Sequence, residues 1–205
     1  VFSPIGTGFL ASYKFEDAMF LFVVTAAHVF DLISGDVVCI RCNDKSGQAH
    51  SIKVRKDTAW RDADKTCDLV ALPFSGDWLQ MDHLTLSLNR GEWEEAHNRL
   101  WQPNLGDEVA TVGLYGSHFG LLKNIPVVRV GHIAMMPGEP VMTSHGYVKA
   151  YLIEVKSIAG LSGSPVFLNY PDVRATPDGQ VAFLRERKQI PIGMMLGYHV
   201  VETAQ

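Results

Sequence analysis

Short apolar runs of strand length, each closed by a turn signal, follow one another from end to end of this chain. Gly6 to Tyr13, Met19 to Val24, Val37 to Arg41, His50 to Arg55, Leu69 to Phe74 and Leu84 to Leu88 fill the first ninety residues or so. Residues 89 to 105 break the rhythm. There, Trp93, Ala96, His97 and Leu100 recur at helical spacing before Pro103, and the Glu-rich start and Arg99 near the end agree with a helix dipole. Strand-length runs then resume at Glu108 to Leu114, Ile125 to Met136, Val148 to Lys156, Val166 to Asn169, Val181 to Arg185 and Ile190 to Val200. Pro171 to Gly179 reads as an exposed loop. The pattern predicts an all-β chain with two six-stranded antiparallel barrels, residues 1–90 and 106–205, and a short helical linker over 91–105.

With 47% apolar and 20% charged residues, the composition is that of an ordinary globular chain. A net charge of −4 without a basic cluster argues against nucleic acid as a partner, since Arg185-Glu186-Arg187-Lys188 is broken by an acid. The longest apolar stretch, Ala18 to Val29, is interrupted by Thr25 and His28, so no membrane partner is expected. Val1 stands where an initiating methionine would, and Val1-Phe2-Ser3-Pro4 lacks signal-peptide layout, so these residues read either as a fragment, with additional domains in the full-length chain, or as a processed product. Three cysteines, an odd and low number, suit a reducing, cytoplasmic setting. Cys39 and Cys42 match C-x-x-C but lie on a strand, where residues three apart face opposite sides. No second pair completes a zinc site, so the cysteines are read as structural and no metal or cofactor is expected.

Three segments carry chemistry. Thr25-Ala26-Ala27-His28 ends a hydrophobic strand, Asp68 opens Asp68-Leu69-Val70-Ala71-Leu72, and Gly160-Leu161-Ser162-Gly163-Ser164-Pro165 sets a serine between glycines. A hydroxyl needs a base within hydrogen-bond reach to act as a nucleophile at neutral pH. An imidazole titrates in the right range, and a carboxylate fixes its tautomer. Glycines also let a turn present backbone amides to a negative charge.

In order and in form, these segments resemble the trypsin-like (chymotrypsin-fold) serine proteases. Further similarity runs through Gly6-Thr7-Gly8-Phe9, Thr111-Val112-Gly113-Leu114-Tyr115-Gly116 and Ile192-Gly193-Met194. The resemblance implies barrels of chymotrypsin type and an endopeptidase acting on protein or peptide substrates. It assigns His28 as general base and acid, Asp68 as its orienting carboxylate and Ser162 as nucleophile, with an oxyanion hole from the backbone amides of Gly160 and Ser162. Leu161 replaces the aspartate that pairs with a new N-terminus in the digestive members, and Gly163-Ser164-Pro165-Val166-Phe167 is similar to bacterial glutamyl endopeptidases and high-temperature-requirement proteases. Order at the site must then come from loop packing, a regulatory partner or the substrate.

By the same resemblance the specificity pocket is lined by Lys156, Ser157 and Ile158, then Met195, Leu196, Gly197 and Tyr198. A pocket-facing Lys156 favours an acidic residue before the cleaved bond; a solvent-facing Lys156 leaves Met195 and Leu196 to make an apolar pocket. Leu196 also stands near where relatives keep a serine bonded to the aspartate, so Asp68 needs another partner. A second reading stays open: a protease-like binding or regulatory module of a larger protein.

Overall fold

A computed structural model describes residues 3–64, 67–75, 80–89, 102–143, 146–156, 158–169, 173–175, 179–183 and 189–197. The chain is all-β apart from one five-residue α-helix and one 3₁₀ turn at Lys56–Thr58 among those residues. In the first half, β1 (Gly8–Phe15) and β2 (Ala18–Ala26) form a hairpin, Glu16 taking the left-handed backbone (φ 52°) that its two-residue connection requires. Helix α1 (Ala27–Asp31) follows β2 at once. Then come β3 (Val37–Asn43), β4 (Ala49–Arg55), β5 (Trp60–Arg61), β6 (Leu69–Pro73) and β7 (Thr85–Ser87). Five of these make a sheet in the order β5-β6-β2-β1-β7, and β3 and β4 make a second hairpin.

The second half runs β8 (Glu108–Leu114), β9 (Pro126–Met135), β10 (Val141–Thr143), β11 (Gly146–Val148), β12 (Leu152–Glu154), β13 (Pro165–Asn169), β14 (Val173–Ala175), β15 (Val181–Phe183) and β16 (Gln189–Met194). Its main sheet has the order β12-β9-β8-β13-β16, with β10-β11 and β14-β15 as separate hairpins.

Each half has its own apolar core. Val23, Phe30, Val38, Val70, Leu72 and Phe74 fill the first; Val109, Ile133, Val166, Leu168, Ile190 and Met195 fill the second. The other face of the β1-β2 hairpin is apolar too. Ala11, Phe22 and Val24 are buried there against Phe9, Ala71 and Met194, the last from β16 of the second half. This explains why β2 reads as a continuous hydrophobic run rather than an alternating one.

The sequence-based elements need three corrections. β7 lies parallel to β1, not antiparallel, which the long excursion through β2–β6 permits. Val148 to Lys156 is not one strand, because β11 and β12 pair with different partners, β10 and β9. The loop expected at 171–179 contains β14, paired antiparallel with β15. The halves hold seven and nine strands among the described residues, short hairpins included. The helix expected over 92–101 lies outside the described residues.

Candidate active site

The register of β2 against β6 creates the first part of the site. Ala26 pairs with Leu69, so the residues just beyond, Ala27 and Asp68, meet at the same end of the sheet. The Ala27 amide donates to the Asp68 carbonyl at 3.1 Å. The chain then turns into α1, anchored by buried Val29 and Phe30, and the opposite side of the helix presents His28. The first amides of a helix lack intrahelical acceptors. Here the His28 amide donates to Asp68 Oδ1 at 2.8 Å, and His28 Nδ1 donates to Asp68 Oδ2 at 2.6 Å. Both carboxylate oxygens therefore hold one residue, which answers the need left by Leu196. The side chains are only 17% and 11% exposed, so the contact is largely shielded from water. A proton on Nδ1 leaves Nε2 as the basic nitrogen.

Below α1, Arg61 donates through both guanidinium nitrogens to Asp31, at 3.2 Å from Nη1 and closer from Nη2. The hydrogen bonds from Arg61, and after them its charge, hold the Asp31 carboxyl below the ordinary carboxylate range. Arg61 and Lys56 both lie over the Phe30 ring, at 5.1 and 5.0 Å, fixing the helix that bears the imidazole.

The serine turn comes from the second half. Gly160 (φ 100°) and Gly163 (φ 85°) occupy the left-handed region on either side of Leu161 and Ser162. Leu161 and Ser164 are buried beneath the turn. The Gly163 amide donates to the Met195 carbonyl and the Met195 amide to the Ser164 carbonyl, both at 2.9 Å. Ser162 Oγ donates to the Leu196 carbonyl at 3.4 Å. The turn is seated directly on the first half. A Cβ at Gly163 would stand 2.0 Å from the Thr7 carbonyl oxygen, 2.6 Å from Thr25 Oγ1 and 3.2 Å from the Ala26 nitrogen. Only glycine permits that approach, and it brings the serine turn onto residues 25 and 26, immediately before α1.

The remaining sequence-predicted residues divide. Lys156 is exposed, Ile158 and Leu196 are half-buried, and Gly197 is exposed. Met195 is buried in the core of the second half. Ser157 and Tyr198 lie outside the described residues. Cys39, Cys42 and Cys67 are free thiols. Burial pushes the Cys42 thiol up, and burial followed by Asp62 and Asp64 does the same for Cys67, so neither has an activated thiolate. Among the described residues, no cluster of three His, Cys, Asp or Glu side chains is placed to share a metal ion, and no helix is long and apolar enough to cross a membrane.

Sequence reasoning gave Thr7 and Thr25 no role of their own. Both are buried, and Thr25 Oγ1 donates to the Thr7 carbonyl at 2.7 Å where the two halves meet. The only signal in the letters was two polar residues within strongly apolar or glycine-rich segments.

No protein-family model and no curated protein sequence matches this chain. Among solved structures, the apo form of the MamO protease domain from Magnetospirillum magneticum is similar, with 12% identity and a TM-score of 0.46 over 92% of this chain and 93% of that one.

Proposed function

We propose that this chain is a serine endopeptidase of the trypsin-like type, with His28, Asp68 and Ser162 as its triad and protein or peptide as its substrate. The observation that carries the reading is the double hold of Asp68 on His28, 2.8 Å to the backbone amide and 2.6 Å to Nδ1, at the junction where the Gly160–Gly163 turn seats. A surface ion pair would not need both contacts; orienting a base does.

In the acylation step Ser162 Oγ bonds to the scissile carbonyl carbon while His28 Nε2 takes the hydroxyl proton. The carbonyl oxygen gains the electron pair and is received by the amides of Gly160 and Ser162. Collapse breaks the C–N bond, and His28 returns the proton to the leaving amine. Water then repeats the sequence on the acyl-enzyme, its proton passing to His28 and on to Ser162, which frees the acid. Asp68 keeps the imidazolium oriented and stabilised throughout.

The Ser162 hydroxyl contact to the Leu196 carbonyl favours a second reading, a protease-like binding module, because a proton given to that carbonyl is not given to His28. At 3.4 Å the contact is at the weak end of hydrogen bonding. Treatment with a fluorophosphonate followed by mass spectrometry separates the two. The hydrolase becomes labelled at Ser162 and loses labelling in His28→Ala; the module is labelled in neither form.

A further inference from the structure

A turn with two left-handed glycines has no intrinsic reason to keep the one peptide orientation that aims two amides at an oxyanion. Contacts from outside must impose it. One comes from within the second half, where the Gly116 amide donates to the Ala159 carbonyl at 3.0 Å. Because a trans peptide is planar, tying that carbonyl back sends the Gly160 N–H the opposite way. Two further contacts come from a single residue of the first half. The Thr7 amide donates to the Ser162 carbonyl at 2.9 Å, and Thr7 Oγ1 donates to the Gly160 carbonyl at 2.7 Å.

The hydroxyl network has one polarity. The Leu114 amide donates to Thr7 Oγ1 at 3.0 Å, so the hydroxyl proton is left for Gly160. The Thr7 carbonyl accepts from Thr25 Oγ1 on β2, the strand that leads into α1. Every polar atom of Thr7 is therefore engaged, and the residue is 8% exposed. Gly116 thus holds the 159–160 peptide and Thr7 the 160–161 and 162–163 peptides, while the Ser164 amide, donating to the Leu161 carbonyl at 2.9 Å, holds the 161–162 peptide between them.

We infer that Thr7 is a positioning residue for the oxyanion-binding amides of Gly160 and Ser162, tying their orientation to the strand that leads to the base. This inference rests on the hydrolase reading proposed above. Thr7 touches no reacting atom; it acts by fixing the 160–161 and 162–163 peptides, which flank the peptide bearing the Ser162 amide and adjoin the one bearing the Gly160 amide.

The test compares wild type, Thr7→Val, which keeps the shape and loses the hydroxyl, and Thr7→Ser, which keeps the hydroxyl. Folding is verified by circular dichroism, and Thr7→Ala replaces the valine variant if that does not fold. Hydrogen–deuterium exchange across 159–164 should quicken about tenfold in Thr7→Val, the equivalent of one lost hydrogen bond, with β9 unchanged. Fluorophosphonate labelling of Ser162 should slow by roughly 10- to 100-fold, less than the loss from removing a direct oxyanion donor. With an ester substrate the loss should fall on kcat while KM holds, and Thr7→Ser should recover both exchange and rate. Labelled wild type with unchanged exchange in Thr7→Val, or a serine variant as impaired as the valine one, overturns this inference alone. Wild type that is never labelled at Ser162 overturns the hydrolase reading and this inference with it.

Discussion

Asp68 accepts two hydrogen bonds from one histidine, and that arrangement makes its replacement informative. In Asp68→Asn, one of the two sites must present an NH₂ to a donor, either the His28 amide or Nδ1–H. The backbone cannot change its polarity, so the imidazole shifts tautomer and Nε2 carries the proton. If the hydrolase reading holds, kcat should fall about 10⁴-fold while the protein stays folded. A loss of only a few-fold would show that Asp68 caps α1 without serving the base. Ser164 offers a second prediction at this scale. Its Oγ is buried without a hydrogen-bond partner among the described residues, pressed where a Cβ at Gly113 would lie 2.0 Å away. A buried hydroxyl with no partner is destabilising, so Ser164→Ala should raise unfolding stability by about 1 kcal/mol in urea titrations. Gly113→Ala should cost about 1–3 kcal/mol through overpacking, and Ser164→Ala should recover part of that loss in the double variant. Independent, additive effects would refute the contact.

Among the elements, the β3-β4 hairpin carries a tie whose strength should follow pH. Asp44 Oδ1 accepts from Ser46 Oγ at 2.6 Å and from the Gln48 amide at 2.9 Å, and His50 Nε2 lies 2.6 Å from Oδ2. The Ser46 hydroxyl first, then the Gln48 amide and His50, hold this carboxyl well below its ordinary value of 3.8. A depressed folded pKa means that the contribution is complete above pH 3.8 and is lost as pH falls through the folded value. Amide exchange across 45–50 should therefore quicken on acidification below about pH 4 in wild type, but not in Asp44→Asn, which keeps an acceptor without titrating. The strands themselves were largely legible, because short apolar runs closed by turn residues have few other ways to fold. Pairing was not. β7 is parallel to β1, and β14 hides in a stretch with loop composition, because partners are chosen by contacts far along the chain. Met194 and Met195 show the limit sharply. One residue of register sends Met194 toward the first half and Met195 into the core of the second, a difference the letters do not carry. His28, Asp68 and Ser162 stood out because each sits in a distinctive local setting. Thr7 did not, since its hydroxyl partners lie 153 and 107 positions away.

At the scale of the whole molecule, the two halves are joined at a polar seam as well as at the serine turn. From β3, Arg41 Nη1 donates to the Gly120 carbonyl at 3.0 Å and to Asn124 Oδ1 at 2.8 Å, and Nη2 donates to the Leu121 carbonyl at 2.9 Å. Its guanidinium also lies 5.2 Å from the centre of the Phe119 ring. The Asn124 side chain returns a bond to the Arg41 carbonyl, and the Asn43 side chain donates to the Asn124 carbonyl and accepts from the Asn124 amide. The loop between β8 and β9 thus docks on the first half by polar contacts. Its own leucines do not hold it there, since Leu121 and Leu122 are 94% and 84% exposed. A loop held this way should yield to removal of one donor group without global unfolding. Arg41→Ala should cost about 1–2 kcal/mol of overall stability, because the freed carbonyls can reach water. Local opening should be more evident: thermolysin should cut near Leu121-Leu122 about tenfold faster than in wild type, with the thermal midpoint only slightly lowered. Arg41→Lys should not restore the hold, since an ammonium is a point charge without the planar fork that meets three acceptors. Unchanged cleavage in Arg41→Ala would mean that the seam is carried by the asparagine pair, and Asn43→Ala, which removes the side chain that bonds the Asn124 backbone, should then release the loop in its place.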